Sequence, residues 1–435
     1  MISAARWLSG VAVGAVVLVV MLAFIARGGW SVFGVVALLL AVWGARRVEA
    51  RTPLTAIVLL GALVRVAWIV AVPTEPGSDF AAYHAFAVRA VEGQLNERLY
   101  APLVLHQVGY PQFLSGAYLV FGAAPAVGRW LNVALAMWLI AAVFRLGTRL
   151  SGRRAGVFAA LAIALWPDHV AYSSLLASEL LFTPLVWVGL ERALTKRSGR
   201  ALGAGLLIGA AIAVRSPGVL ALLVALGLLV ALRRYRAALA LVVGASLALG
   251  GSLALRRLTG DTFARGSLAY SALMGSNAAT QGAWNQHDYE AYLRNRFVAG
   301  ARVADDEAWA LVRLRWAEAG VTELVLGKVA RQWGQGDSGV RFALRNALKA
   351  PGEAMAALAQ AWLVGVVTLA WWALWRVRPV VRWGLAPLTL AWLAHLVLEA
   401  NPRYALPWLV GAALVAACGW RTLSAWRPSS PASPR

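Results

Sequence analysis

Charge is scarce in this chain. Only 14% of its 435 residues are Asp, Glu, Lys or Arg, and only 19 of those are acidic. With 60% of residues hydrophobic and a mean hydropathy of +0.67, too little polar surface exists to cover a water-soluble globule of this size. Cysteine is almost absent: Cys418, inside an apolar run, rules out an intramolecular disulfide or a cysteine metal cage and reads as a plain lipid-facing residue. No internal repeat is present, so a transporter assembled from repeats gains no support. What the chain has is apolar length, 21 Trp, and 41 Lys plus Arg for a net charge of +22. In a soluble protein that excess would point to nucleic acid. Its distribution argues otherwise.

Apolar runs fall at about 10–26, 30–45, 54–72, 129–147, 155–167, 174–193, 201–214, 217–232, 237–256, 354–376, 381–398 and 404–420. These predict an all-α polytopic membrane protein with about 12 transmembrane helices. The first run lacks a small-residue cleavage site and is read as a retained helix. If the N-terminus is cytoplasmic, the inner loops and ends hold roughly half of the 41 basic residues, against two acids, Glu49 and Glu191. The positive charge is then a topology signal, nucleic acid is not an expected partner, and both termini are cytoplasmic.

The predicted organisation is an N-terminal hairpin over 1–50, a transmembrane module over 51–256 with a large outer loop at 73–128, an extracytoplasmic insert over 257–350, C-terminal helices over 351–421, and a disordered tail over 422–435. In the first loop, GYPQFLSGAYLVFG reads as an interfacial helix. The insert holds nine of the 19 acids and shows helical period in DDEAWALVRLRWAEAG, as expected of a small, mainly helical cap.

Ionisable residues gather at the outer boundary. EPGSDFAAYHAF puts Asp79, Tyr83 and His84 at a helix start just beyond a span. Asp79 after Ser78 would serve as a helix cap, or as a base meeting a lipid headgroup. His84 and His106 are both outer, without the pattern of a metal site. LWPDHVAYSSLLASELLFTP leaves Asp168 and His169 at the surface and Glu179 a turn or two inside, where a carboxylate needs a hydrogen-bonding neighbour or a substrate. Arg215 in AVRSPGVL tips a tight hairpin, either snorkelling to the interface or binding an anion. LEANPRYALPWL presents Glu399, Arg403 and Tyr404 before an apolar helix. Arginine forks suit phosphate, so Arg215 and Arg403 are expected to hold a phosphorylated headgroup.

The order of D-x-x-x-Y at Asp79 to Tyr83, the YP of Tyr110 and Pro111, the WP…SELLF segment, the Arg-Ser-Pro hairpin and the late NPRYALP resembles the polytopic glycosyltransferases of the GT-C fold. The likeness is to the glycosyltransferase family 39-like branch with dolichyl-phosphate-mannose protein mannosyltransferases and bacterial lipid A aminoarabinose transferases. It covers roughly residues 54–420. It implies an inverting transfer of one sugar from a polyprenyl-phosphate donor to a hydroxyl of a lipid, glycan or protein on the outer face of the cytoplasmic membrane. Asp79 corresponds to the catalytic base, Arg403 and Tyr404 to the family's late Arg-Tyr, and Arg215 to its basic residue before a turn; Tyr83, His84 and Glu179 join Arg215, Arg403 and Tyr404 as candidate substrate-binding residues by their place at the outer boundary. No metal or other cofactor is expected where arginines balance the phosphate. The chain departs from members with paired acids in the first loop, since Phe80 follows Asp79, and the extra N-terminal hairpin has no counterpart in the smallest members. In the insert, Asn277, Trp284 and Asn285 suit sugar contact or turn structure. The rival expectation is a transporter or flippase for a lipid-linked or anionic substrate, in which the same arginines bind and no bond is broken.

Overall fold

A computed structural model describes residues 52–94, 108–195, 198–258, 267–318, 320–344 and 349–424. The expected first hairpin, His106 and residues 425–435 lie outside them. Among the described residues every regular element is a helix.

Helix α1, Leu54–Ala71, starts after Pro53, and its buried residues Ile57, Gly61, Arg65 and Ile69 recur every four positions to form one stripe. Its other face exposes Leu59, Leu63 and Val70, as an apolar medium permits. The segment after α1 supplies α2, Asp79–Val91, and α3, Gly109–Phe121. The latter buries Tyr110, Leu114 and Tyr118 and exposes Leu119, Val120 and Phe121, an amphipathic pattern suited to the membrane boundary.

Helix α4, Pro125–Ser151, opens on Pro125 in its first turn and stops at Gly152, whose φ of 90° an L side chain would resist. The apolar run predicted at 155–167 forms α5, Arg153–Ala164, only 12 residues long. The short α6, Pro167–Tyr172, precedes the run predicted at 174–193, which forms α7, Ser178–Ala193. Next come α8, Ser198–Val214, α9, Gly218–Ala231, and α10, Tyr235–Leu258. Helices α8 and α10 meet backbone to backbone: a Cβ on Gly205 would lie 2.0 Å from the Leu241 carbonyl oxygen.

The insert folds as α11, Leu268–Gly275, α12, Gln286–Val298, α13, Ala301–Glu318, α14, Val321–Trp333, and α15, Ser338–Ala343. The chain then forms α16, Lys349–Leu374, the short α17, Pro379–Arg382, α18, Ala386–Val397, a 3-10 turn at Pro402–Tyr404, and α19, Leu406–Ser424. Among the described residues, five helical stretches are long and apolar enough to cross a membrane: Leu54–Ala71, Pro125–Ser151, Tyr235–Leu255, Gly352–Leu374 and Pro379–Val397. Three more, Gly199–Val214, Gly218–Ala231 and Leu406–Gly419, are apolar but shorter. The protein is multi-pass, and the first two of the twelve apolar runs lie outside the described residues.

Buried polar groups tie the bundle together. Arg65, fully buried in α1, donates to the carbonyls of Gly61 at 3.0 Å, Ala164 at 2.8 Å and Ile163 at 3.1 Å, and so satisfies the end of α5. Two expectations are corrected here. Asp168 and His169 are buried, not at the surface. Asp168 accepts from Gly339 N at 2.6 Å and Val340 N at 3.1 Å, capping α15, while His169 Nδ1 meets Arg65 Nη2 at 3.1 Å. Cys418 likewise faces the protein core and not lipid.

Candidate active site

Helix α7 carries a carboxylate at each end. Near its last turn Glu191 pairs with Arg149 at 2.5 Å and Arg145 at 3.6 Å, within the basic set assigned to the inner loops. In its first turn, about 18 Å away at 1.5 Å per residue, stands Glu179. A lone carboxylate there would be costly, and Glu179 is 1% exposed. It is not alone: Arg215 Nη1 lies 2.6 Å from its Oε1 and Arg403 Nε 3.5 Å from the same oxygen.

Each arginine arrives by a turn. Arg215 follows α8, where its N–H bonds back to the Ala211 carbonyl at 2.8 Å, and Nη1 also donates to Ser178 Oγ at 2.9 Å. Arg403 sits on the 3-10 turn, started by Pro402 and capped by Asn401, whose Oδ1 accepts from Arg403 N at 3.2 Å. Tyr404 lies beneath both guanidinium groups, 4.9 Å from Arg215 and 5.4 Å from Arg403. His395 stacks on Tyr404 at 5.5 Å, and its Nδ1 meets the Glu399 carbonyl at 2.8 Å.

Asp79 opens α2 and pairs with Arg403. It follows Ser78, whose φ of 54° is unusual for a residue with a side chain. Phe80 anchors the helix by an edge-to-face contact with Phe342 of α15, 5.6 Å between centroids. Arg403 is therefore the residue common to both acids. The Asp79 side chain is 24% exposed against 1% for Glu179, so of the two carboxylates Asp79 is the one a substrate can reach.

Tyr83 is buried one turn along, packed edge-on against Tyr110 at 5.4 Å. Burial, and then the Asp79 charge, push its hydroxyl up to about 12, which keeps it protonated and a donor. The structure thus brings Asp79, Tyr83, Glu179, Arg215, Arg403 and Tyr404 together. His84 stands apart: Nδ1 meets the Tyr118 hydroxyl at 2.8 Å, and burial holds its pKa below the usual value.

Two insert residues suited to sugar contact are already engaged. Asn277 and Asn285 donate to Asp288 Oδ2 at 3.0 and 2.9 Å, with Arg315 completing the lock at 2.8 Å. Trp284 packs near Tyr289. Two residues that the motifs did not mark, Lys328 and Tyr270 of the insert, are buried beside Glu399. Among the described residues no group of three or more His, Cys, Asp or Glu stands ready to hold a metal ion.

Residues 106–281 match the family model for dolichyl-phosphate-mannose-protein mannosyltransferases. That stretch carries Glu179 and Arg215 and leaves out Asp79 and Arg403. It meets, over less than half the chain, the resemblance carried by the sequence motifs. No curated protein sequence matches the chain. Among solved structures, the crystal structure of ArnT from Cupriavidus metallidurans bound to undecaprenyl phosphate is similar at 14% identity and a TM-score of 0.41, covering 85% of this chain and 78% of that one.

Proposed function

We propose that this protein is a membrane glycosyltransferase that moves one sugar from a polyprenyl-phosphate carrier to an acceptor hydroxyl at the outer face of the cytoplasmic membrane. The observation that carries the reading is the shared arginine: Arg403 pairs with reachable Asp79 and faces buried Glu179, which also pairs with Arg215. Two guanidinium groups, held close together by one carboxylate and one tyrosine ring, offer fork-shaped donors to a phosphate that takes the place of Asp79. The name of the matching family and the polyprenyl phosphate bound to ArnT agree in kind with such a donor.

In this reading the acceptor oxygen attacks the anomeric carbon from the face opposite the phosphate and its proton passes to Asp79. The anomeric carbon to phosphate-oxygen bond breaks, and the polyprenyl phosphate leaves with its new charge balanced by Arg403 and Arg215. The configuration inverts. Donor phosphate competes with Asp79 for Arg403, so its binding releases the carboxylate to accept a proton. Tyr83 and Tyr404, both protonated, orient the headgroup. The carrier chain lies along α3, whose exposed Leu119, Val120 and Phe121 face the membrane boundary.

The test is Asp79→Asn in purified protein, assayed for release of polyprenyl phosphate from a polyprenyl-phosphate sugar. Loss of transfer with retained folding supports the base assignment. Wild-type transfer removes it. A flippase would carry its cargo across vesicles with either residue and release no polyprenyl phosphate.

A further inference from the structure

The outer insert grips the loop that carries Arg403, and it does so through the backbone. Glu399 N donates to the Ser271 carbonyl at 2.9 Å, and Ala400 N donates to the Gly282 carbonyl at 2.8 Å. The next residue, Asn401, caps the turn that presents Arg403. Position 275, at the end of the same α11 that contains Ser271, touches the loop as well: a Cβ on Gly275 would come within 2.2 Å of the Val397 carbonyl oxygen and 2.5 Å of Leu398 C. Only glycine lets these two backbones meet.

One side chain holds the accepting segments in turn. Lys328 of α14 is 1% exposed, and its Nζ donates to the Gly275 carbonyl at 2.8 Å. Its stem passes so near Gly282 that a Cβ there would meet Lys328 Cγ at 2.7 Å. It also interacts electrostatically with Glu399. A buried amine is costly, and an apolar residue would fill the same space without that cost. The geometry explains its presence: Lys328 contacts both segments, Gly275 and Gly282, against which residues 397–400 are laid.

We propose that Lys328 is a positioning residue for Arg403, clasping Gly275 and Gly282 so that the 397–400 backbone holds the arginine turn in place. The insert is then part of the site's framework as well as its cover. The consequence for ligand binding rests on Arg403 as a phosphate ligand, as given above.

The test uses the full chain in lipid nanodiscs. Lys328→Met keeps the stem and removes the amine. Amide hydrogen exchange over residues 397–404 is expected to rise about tenfold, with α4 and α7 unchanged, because the Glu399 and Ala400 donors lose their fixed acceptors. Undecaprenyl phosphate, used as probe, is expected to bind about tenfold more weakly. In an Arg403→Ala background the same change is expected to add less than about twofold, since residues acting through one group are not additive. Unchanged exchange over 397–404, or fully additive losses, would overturn the proposal. If Arg403→Ala alone leaves undecaprenyl phosphate binding intact, the phosphate reading fails, and the exchange result alone decides the role of Lys328. Should Lys328→Met not fold, Gly275→Ala presses on the same junction from the other side. Faster exchange over 397–404 is expected there too, and no change would overturn the clasp.

Discussion

Asp79 and Arg403, 324 positions apart, form an ion pair that joins the start of α2 to the turn before α19. The pair sets a reachable carboxylate beside a guanidinium that also faces Glu179. Arg403 therefore holds Asp79 and offsets Glu179, and the proposed function adds a third demand, donors for a phosphate.

Those demands call for a planar fork and not merely a charge. Arg403→Lys is expected to lower transfer by about tenfold to a hundredfold, because a point charge loses bidentate geometry and the contacts over Tyr404 and Phe80. Steady-state turnover with a polyprenyl-phosphate sugar checks this, and full activity in the lysine variant would remove the fork argument.

Removing Arg215 leaves Glu179 with the longer contact to Arg403 and a hydrogen bond from Ser178 Oγ at 3.4 Å. Arg215→Met is expected to destabilise the fold by about 3 kcal/mol, the lower end for breaking a buried pair, since one partner remains. Glu179→Gln, which keeps the shape and hydrogen-bonding capacity, is expected to cost less. Denaturant unfolding in detergent ranks the two.

Arg65 is a purely structural counterpart. Its three carbonyl acceptors include the end of α5, so Arg65→Leu is expected to cost roughly 2–4 kcal/mol by stranding them. Undecaprenyl phosphate affinity of the folded fraction is expected to stay unchanged. A large loss of affinity without loss of stability would contradict this assignment.

Burial pushes the Lys328 amine down to about 7 from 10.5. Between those values the unfolded chain holds a proton that the folded chain has lost, so stability from this group rises with pH from about 7 to 10.5 and is least below 7. The melting temperature of wild type relative to Lys328→Met is expected to increase across that window. Subtracting the variant removes the other groups that titrate there. A flat difference would place the amine in contact with water.

Much of this site was legible because its residues sit where chain pattern and membrane boundary coincide. Arg215 in its Arg-Ser-Pro hairpin, Arg403 and Tyr404 before an apolar helix, and Asp79 just beyond a span are each marked by the same switch from apolar to polar. What was not legible depended on distant cover. Asp168 and His169 follow a Trp-Pro boundary and read as exposed, yet α15, about 170 positions later, buries Asp168 by lending it two amide donors. Lys328 lies in VTELVLGKVARQW, an amphipathic pattern whose lysine normally faces water. Nothing local marks it as the exception, because its partners Gly275 and Gly282 belong to another segment. His84 shared the motif of Asp79 and Tyr83, but its place on the helix turns it to Tyr118. Helices α5 and α7 are shorter than a straight span, and both are bound into the bundle by polar contacts.

A structure of the protein with undecaprenyl phosphate bound tests the central claim most directly. The phosphate oxygens are expected about 2.7–2.9 Å from the guanidinium groups of Arg403 and Arg215, with Asp79 freed from Arg403. A headgroup seated at the opposite end of α7, beside Arg145 and Arg149, would contradict it.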